Sequence, residues 1–288
     1  MNQTQETTMK QIERIQHWIG HQELIHGFTT KKLGNLSFRT ESREKVKSRR
    51  MKFAAKLGFD WNDVLLPPLT HSNNVLLVDN LATLVTDENR IYKSGGTAIT
   101  TTARVDTVYD NPEWQAGIDG VIVTVPNLFP ALLTADCAGV AFYHPSSGVY
   151  GIAHIGVIGA INQLPKKMVY TLEEFCGCNP RELEVVLYPS IRSCHYDLSR
   201  SGAWGVIGNN VKAYYGENNP YYANGFFDLQ GFTRWQLFDC GIEDENIFDT
   251  GLCTVCHYKD FYSNLKAGTP TKKKREGRFA SIIGRREQ

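Results

Sequence analysis

The chain has 288 residues, of which 42% are hydrophobic and 21% charged, and its formal net charge is +1. That length supports one large domain with a substantial core, and the near-neutral balance lacks the basic excess of a nucleic-acid or membrane-surface binder. The longest apolar region, residues 118–161, is broken by Asp119, Pro126, Pro130, Asp136, His144 and Pro145, so it contains no stretch of about 18 apolar residues that could span a membrane.

Residues 1–10 are polar and lack the apolar centre of a signal peptide, which predicts a cytoplasmic protein with a disordered lead. Residues 1–22 are taken as that N-terminal lead, partly disordered, and residues 23–288 as one domain. The seven cysteines are an odd number and are expected as reduced thiols. Residues 23–30 are strand-like. Val46, Phe53, Ala54 and Leu57 stand at helical spacing and Gly58 occupies a C-cap position, predicting a surface helix over residues 42–57. A short strand is predicted over residues 75–78, followed by polar, irregular chain over residues 85–115.

The middle carries four short apolar runs, residues 121–125, 131–134, 140–143 and 149–154, separated by Pro, Gly, Asp and Ser. They predict neighbouring strands, several covered on both faces. A helical pattern then places Ile161, Leu164, Met168, Leu172 and Phe175 on one face, with Pro165 forcing a late start or a kink. Residues 183–187 read as a strand, and Asp228 as the N-cap of a helix running to Gly241. The irregular alternation of strands and helices predicts a single-domain α+β protein with mixed sheets.

Cys137 lies in a tight turn between two apolar runs, beside Asp136. His154 stands where a strand gives way to a helix, and His71 lies in a polar turn. Each has an ordinary explanation as a packed thiol or a turn histidine. Together they would form a His2Cys set with an open fourth position, which is the pattern of a catalytic zinc. Gly156 and Gly159 would let a ligand approach the backbone and leave helix N–H groups for an anion. Residues 253–257, Cys-Thr-Val-Cys-His, spell a C-x-x-C-H. Without an export signal they are not read as a haem attachment site, and their thiols are expected to line a core or site wall. The basic run at residues 272–275 is expected to be a solvated loop.

The ordered series His26-Gly27-Phe28-Thr29-Thr30, the His71 turn, Asp119-Gly120, Thr134-Ala135-Asp136-Cys137, Ala153-His154-x-Gly156, Pro189-Ser190-Ile191, Phe227-Asp228-Leu229 and the stretch from Cys253-Thr254 to Phe261-Tyr262-Ser263 resembles the laccase-domain proteins, long labelled polyphenol oxidases. Members are associated with purine nucleoside phosphorylase, adenosine deaminase and methylthioadenosine phosphorylase activity, and some bacterial members are labelled peptidoglycan editing factor. The resemblance implies an α/β/β/α-type sandwich with helices outside two mixed sheets. It also implies zinc held by His71, Cys137 and His154, small-molecule substrates (a purine nucleoside and phosphate), and a monomer or weak homodimer.

The chain departs from the family pattern at several points. Val157 and Ile158 replace a tryptophan and an arginine, Lys31 replaces an arginine, Tyr188 replaces a glycine, and Thr70 replaces a glutamine. Lys31, Arg192 and Lys266 are then the candidate phosphate cations. Losing one bidentate charge-assisted contact removes roughly 1.5–3 kcal/mol of binding, so phosphorolysis is expected to be weak or absent and zinc-dependent deamination less affected. Cys137, His154 and Asp136 are the catalytic candidates, with Asp136 either moving protons, holding a histidine ligand, or capping its own turn. Eight scattered histidines argue against a multicopper laccase reaction. Two rival readings are a metal-free thiol hydrolase with Cys137 as nucleophile and His154 as base, and a non-catalytic protein that binds nucleosides or cell-wall precursors.

Overall fold

The computed structural model describes residues 9–79, 84–87, 90–94, 117–199, 203–216, 218–268 and 276–287. The expected disorder of residues 1–8 and the basic run at 272–275 lie outside the described residues. The strands, in chain order, are β1 (Ile12–Glu13), β2 (Leu24–Thr29), β3 (Val64–Leu65), β4 (Val75–Val78), β5 (Leu84–Asp87), β6 (Arg90–Ser94), β7 (Gly120–Val123) and β8 (Phe129–Thr134). They continue as β9 (Ala138–His144), β10 (Val149–Ile155), β11 (Glu184–Leu187), β12 (Tyr222–Ala223), β13 (Phe226–Phe227), β14 (Ile247–Asp249) and β15 (Phe279–Arg285). The helices are α1 (Arg43–Leu57), α2 (Val157–Ile161), α3 (Leu164–Cys176), α4 (Ala203–Tyr215), α5 (Leu229–Asp239) and α6 (Asn264–Ala267). Among the described residues, no helix is long and apolar enough to cross a membrane.

Two mixed sheets form the body, one ordered β1-β2-β15-β8-β3 and the other β14-β11-β9-β10-β7-β4. Alternation along the strands sorts their side chains into three cores. Val121, Val123, Ala141, Tyr143, Tyr150 and Ile152 point between the sheets to meet Leu24, Phe28, Leu132 and Ile283. The alternate residues Ile122, Val140, Phe142, Ala153 and Ile155 face outward onto Val157, Ile161, Leu164, Met168, Phe232 and Leu237 of the helices. On the other side, Ile25, Ala131, Ala280 and Ile282 are covered by Phe53 and Ala54 of α1. The result is the expected α+β sandwich of helix, sheet, sheet and helix.

Several local signals act as their chemistry requires. Gly58 closes α1 at φ 77°, donating to the Ala54 carbonyl. Asp228 caps α5 through the Gly231 N–H. Pro165 stands in the first turn of α3, so the helix starts late after the short α2. Three expectations change. The run at 131–134, part of β8, joins the other sheet, between β15 and β3, and does not neighbour the remaining three runs. Residues 84–94, expected to be irregular, contain the antiparallel β5–β6 pair, whereas residues 95–116 lie outside the described residues. Ile12 and Glu13, within the segment read as a lead, pair with Thr29 and Phe28, and Trp18 is buried. Tyr188, where the family pattern has glycine, is also accounted for: it is buried between the sheets, donates to the Ile282 carbonyl at 2.8 Å and packs edge-on to Phe28.

The β1–β2 junction makes stability depend on pH. His26 is fully buried on β2, and its Nδ1 accepts the Ile15 N–H at 3.1 Å. The Arg14 guanidinium stands 3.2 Å from its Nε2. Burial, then the Arg14 and His21 charges, lower its pKa to about 4. The unfolded chain therefore takes up this proton near its ordinary value of about 6.5, before the folded chain does. This stability is full above that value and is lost as pH falls towards 4, roughly 3 kcal/mol in all. Urea unfolding at pH 7 and pH 4.5 should show a smaller difference for His26→Gln than for the parent; equal differences would remove His26 as the cause.

Candidate functional site

Strand pairing brings three distant segments to one end of the six-stranded sheet. His154 pairs with Gly139 in the β9–β10 ladder, and Ile155 pairs with Ala138, which places Cys137 opposite Gly156. Ala153 pairs with Gly120 of β7, so Asp119 falls beside His154, and the His154 N–H donates to the Asp119 carbonyl at 2.7 Å. Gly120 pairs in turn with Val75 of β4, which brings the turn at residues 70–72 alongside. The ligand atoms of His71, Cys137 and His154 all lie within 4.8 Å of one another. Cys137 Sγ is 3.7 Å from His71 Nε2, and the two imidazole centroids are 5.0 Å apart.

Asp119, to which the sequence alone assigns no role, organises the group. Its side chain is fully buried and accepts the N–H groups of Thr70, His71 and Ser72 together with the Ser72 hydroxyl. It also sits 2.7 Å from His154 Nδ1, which fixes that nitrogen as the donor and turns Nε2 towards Cys137 and His71. A buried carboxylate with five partners is a rigid post, and its sequence signal is the Asp-Gly placed directly before an apolar strand. Burial raises its pKa, but the His154 contact and the N–H donors outweigh burial and hold it below the usual value.

Asp136 sits at φ 99°, in the left-handed region that non-glycine residues seldom occupy. One carboxylate oxygen accepts the Thr254 hydroxyl and the other the Leu265 N–H, both at 2.7 Å. Its carbonyl accepts the Ile191 N–H, also at 2.7 Å. These bonds hold the turn that delivers Cys137 from the first sheet to the second. Gly156 is needed for space: a Cβ there would stand 2.8 Å from His71 Cδ2 and 3.2 Å from Cys137 Sγ.

The cluster opens into a cavity of about 390 Å³ whose walls include Arg39, Arg50, Thr70, Thr134, Asn264 and Arg278. Arg50 is buried and bonded to the Leu36 carbonyl through two nitrogens. Burial and the facing charge of Arg39 lower the Arg278 pKa from the guanidinium norm. The three cations named from sequence lie elsewhere. Lys31 donates to the Tyr258 carbonyl and pairs with Glu276, Arg192 forms a bidentate pair with Asp249, and Lys266 is exposed on α6. Val157 and Ile158 are buried in the outer core and do not line the cavity. A larger cavity of about 630 Å³, beside Phe248 and Leu252, contains none of the clustered metal donors.

The donor set suits a metal: one thiol and two imidazoles converge, and one imidazole is already oriented by a carboxylate. Without an ion, the same atoms polarise one another. Burial pushes the Cys137 thiol up, but the positive His154 and the hydrogen bonds from His154 and His71 bring it down to about 6. Burial lowers the His154 pKa, but the Cys137 thiolate and Asp119 outweigh this and raise it to about 10.

The multi-copper polyphenol oxidoreductase laccase family matches residues 26–286. The chain belongs to that family. It is 28% identical over 288 residues to the Bacillus subtilis (strain 168) protein named Purine nucleoside phosphorylase YlmD, with 95% of this chain and 94% of the relative covered. It is 24% identical over 231 residues to Adenosine deaminase RL5 of an unknown prokaryotic organism, covering 78% of each. The crystal structure of Bacillus licheniformis hypothetical protein YfiH matches with a TM-score of 0.72 and 25% identity, covering 96% of this chain and 97% of that one. This laccase-domain chain therefore shares the sandwich fold with its solved relative. The family's copper title is not matched by a histidine-rich multicopper cluster: among the described residues, the metal-donor groups contain at most two histidines.

Proposed function

We propose that the chain is a zinc-supported enzyme of purine nucleosides, with amino-group displacement by water as its main reaction. The observation that supports this reading is the convergence of His71, Cys137 and His154 at an open cavity large enough for a small molecule. Three protein donors with an open position are the arrangement of a catalytic zinc. A blue-copper site would call for a weak axial partner such as methionine, and among the described residues no methionine lines the cavity. When bound, zinc supplies Lewis-acid polarisation and lowers the pKa of a coordinated water. Cys137 and the two histidines hold the ion, and Asp119 holds His154 in the required tautomer. Asp136 is a positioning residue that fixes the strained turn before Cys137. The names of the relatives, a purine nucleoside phosphorylase and an adenosine deaminase, supply the substrate class.

Water is favoured over phosphate because Lys31 and Arg192 are already held by Glu276 and Asp249, and Ile158 is buried. A second reading, phosphorolysis, draws support from the Arg39 and Arg278 side chains at the cavity wall. Adenosine turnover with and without phosphate separates the two. The expected result is phosphate-independent inosine formation that is lost with the bound metal in Cys137→Ala. Robust phosphate-dependent release of free base, abolished in Arg278→Ala, would replace the first reading with the second. Turnover that resists chelators but is blocked by thiol alkylation would point instead to the Cys137–His154 pair as a metal-free nucleophile and base.

A further inference from the structure

A second group of metal donors lies outside the cavity. Strands β11 and β14 pair in parallel, with Leu187 opposite Asp249, so the loops that follow them leave the same end of the sheet side by side. Ser190 bridges to Cys253, and the Thr254 N–H donates to the Ser190 carbonyl at 3.0 Å. Cys194 stands seven residues beyond Leu187 and Cys256 seven beyond Asp249, so the two loops deliver their donors in step. The ligand atoms of Cys194, His195, Cys253 and Cys256 all lie within 4.8 Å of one another.

Four of the five donor separations fall within about 0.2 Å of those of a zinc tetrahedron, and the Cys194–His195 separation is shorter. Zinc–sulfur and zinc–nitrogen bonds of about 2.3 and 2.0–2.1 Å place tetrahedral donors about 3.8 Å apart for two sulfurs and about 3.6 Å apart for sulfur and nitrogen. Cys194 Sγ lies 3.6 Å from Cys253 Sγ and 3.7 Å from Cys256 Sγ. His195 Nδ1 lies 3.1, 3.8 and 3.6 Å from the sulfurs of Cys194, Cys253 and Cys256. Read as a linear motif, residues 253–257 suggested haem attachment or idle thiols. His257 instead uses its Nδ1 on the Cys253 carbonyl, and the fourth donor is His195, from the other loop.

We propose that Cys194, His195, Cys253 and Cys256 form a closed, four-ligand zinc site that clamps the two loops. Three soft sulfur donors and one imidazole select zinc over hard cations, and four protein ligands leave no open position, so the site is structural. The clamp supports the first site from behind. Ile191 and Thr254, on the two joined loops, hold the Asp136 carbonyl and carboxylate beside Cys137.

The test is metal content of the full chain, purified under reducing conditions and reconstituted with zinc. The expected result is two equivalents in the parent and one in each of Cys194→Ser, Cys256→Ser and His71→Ala. Because the cluster variants can misfold, His71→Ala, whose cluster is intact, is also loaded with cobalt. Its spectrum should show the intense thiolate-to-cobalt absorption of a tetrahedral site, and the three cluster thiols should resist alkylation until a chelator is added. A parent that binds one zinc, lost in His71→Ala and kept in Cys256→Ser, would overturn the proposal. So would cluster thiols that alkylate freely in the zinc-loaded protein, or that are found joined as a disulfide. The first site's assignment stands or falls separately, on the equivalent lost in His71→Ala.

Discussion

Asp119→Asn is expected to weaken metal binding at the His71–Cys137–His154 site by 10–100-fold, the range for loss of a group that orients a metal-binding histidine. The carboxylate offers acceptors only, and among the described residues every hydrogen-bond partner of its side chain is a donor: three backbone N–H groups, the Ser72 hydroxyl and His154 Nδ1. An amide in the same volume must aim an NH2 group at one of these donors. If it faces His154, the ring loses its reason to keep Nδ1 protonated, and Nε2 no longer faces Cys137 as a lone pair. If it faces the 70–72 turn, the backbone that carries His71 moves. In either case a buried ion pair is broken, so the metal-free protein should also lose about 3 kcal/mol. Ser72→Ala removes one of the donors and should cost on the order of 1 kcal/mol. Competitive chelator titration measures the first effect, and urea unfolding of the metal-free protein the second. Unchanged chelator titration in Asp119→Asn would show that the carboxylate is only structural.

What the sequence made legible follows the range of the interactions. Helix α1 and helix α5 were readable because Gly58 and Asp228 act within one turn of the chain. The runs that became β7, β9 and β10 were readable as strands because each is buried along its whole length. Their division between two sheets was not readable: the Phe129–Thr134 run looks like its neighbours, and only pairing with β15, some 150 residues later, assigns it to the other sheet. Strand β15, central to that sheet, was not anticipated at all. The Cys137–His154 pair was visible because β9 and β10 are joined by a short hairpin. Asp119 was not singled out, because a carboxylate before a strand ordinarily reads as a turn residue. In the Cys194–His195 partner of the C-x-x-C pair, Cys194 lies 59 residues and His195 58 residues from Cys253, and neither half signals the other until β11 and β14 pair.

Gly156→Ala should abolish the first metal site while leaving the fold nearly intact. The backbone at Gly156, φ −92° and ψ 178°, is extended, so alanine meets no conformational strain there. Its Cβ would meet His71 Cδ2 at 2.8 Å and Cys137 Sγ at 3.2 Å, and one of the two must yield. Cys137 follows a turn held by three hydrogen bonds to Asp136, and the His71 ring lines the cavity, on the open side of the cluster. The ring should therefore give way, taking Nε2 from the donor set and lowering turnover by about 100-fold or more, as for a misplacement of about 1 Å. If the turn moved instead, overpacking would appear as a stability loss of about 1–3 kcal/mol. Gly159 is the matched control. A Cβ there would stand at 3.5 Å or more from its neighbours, within α2, where alanine is the better helix former by about 1 kcal/mol. Gly159→Ala should keep its metal and lose no stability, and a pair of variants that behaved alike would mean that neither glycine serves the donor cluster.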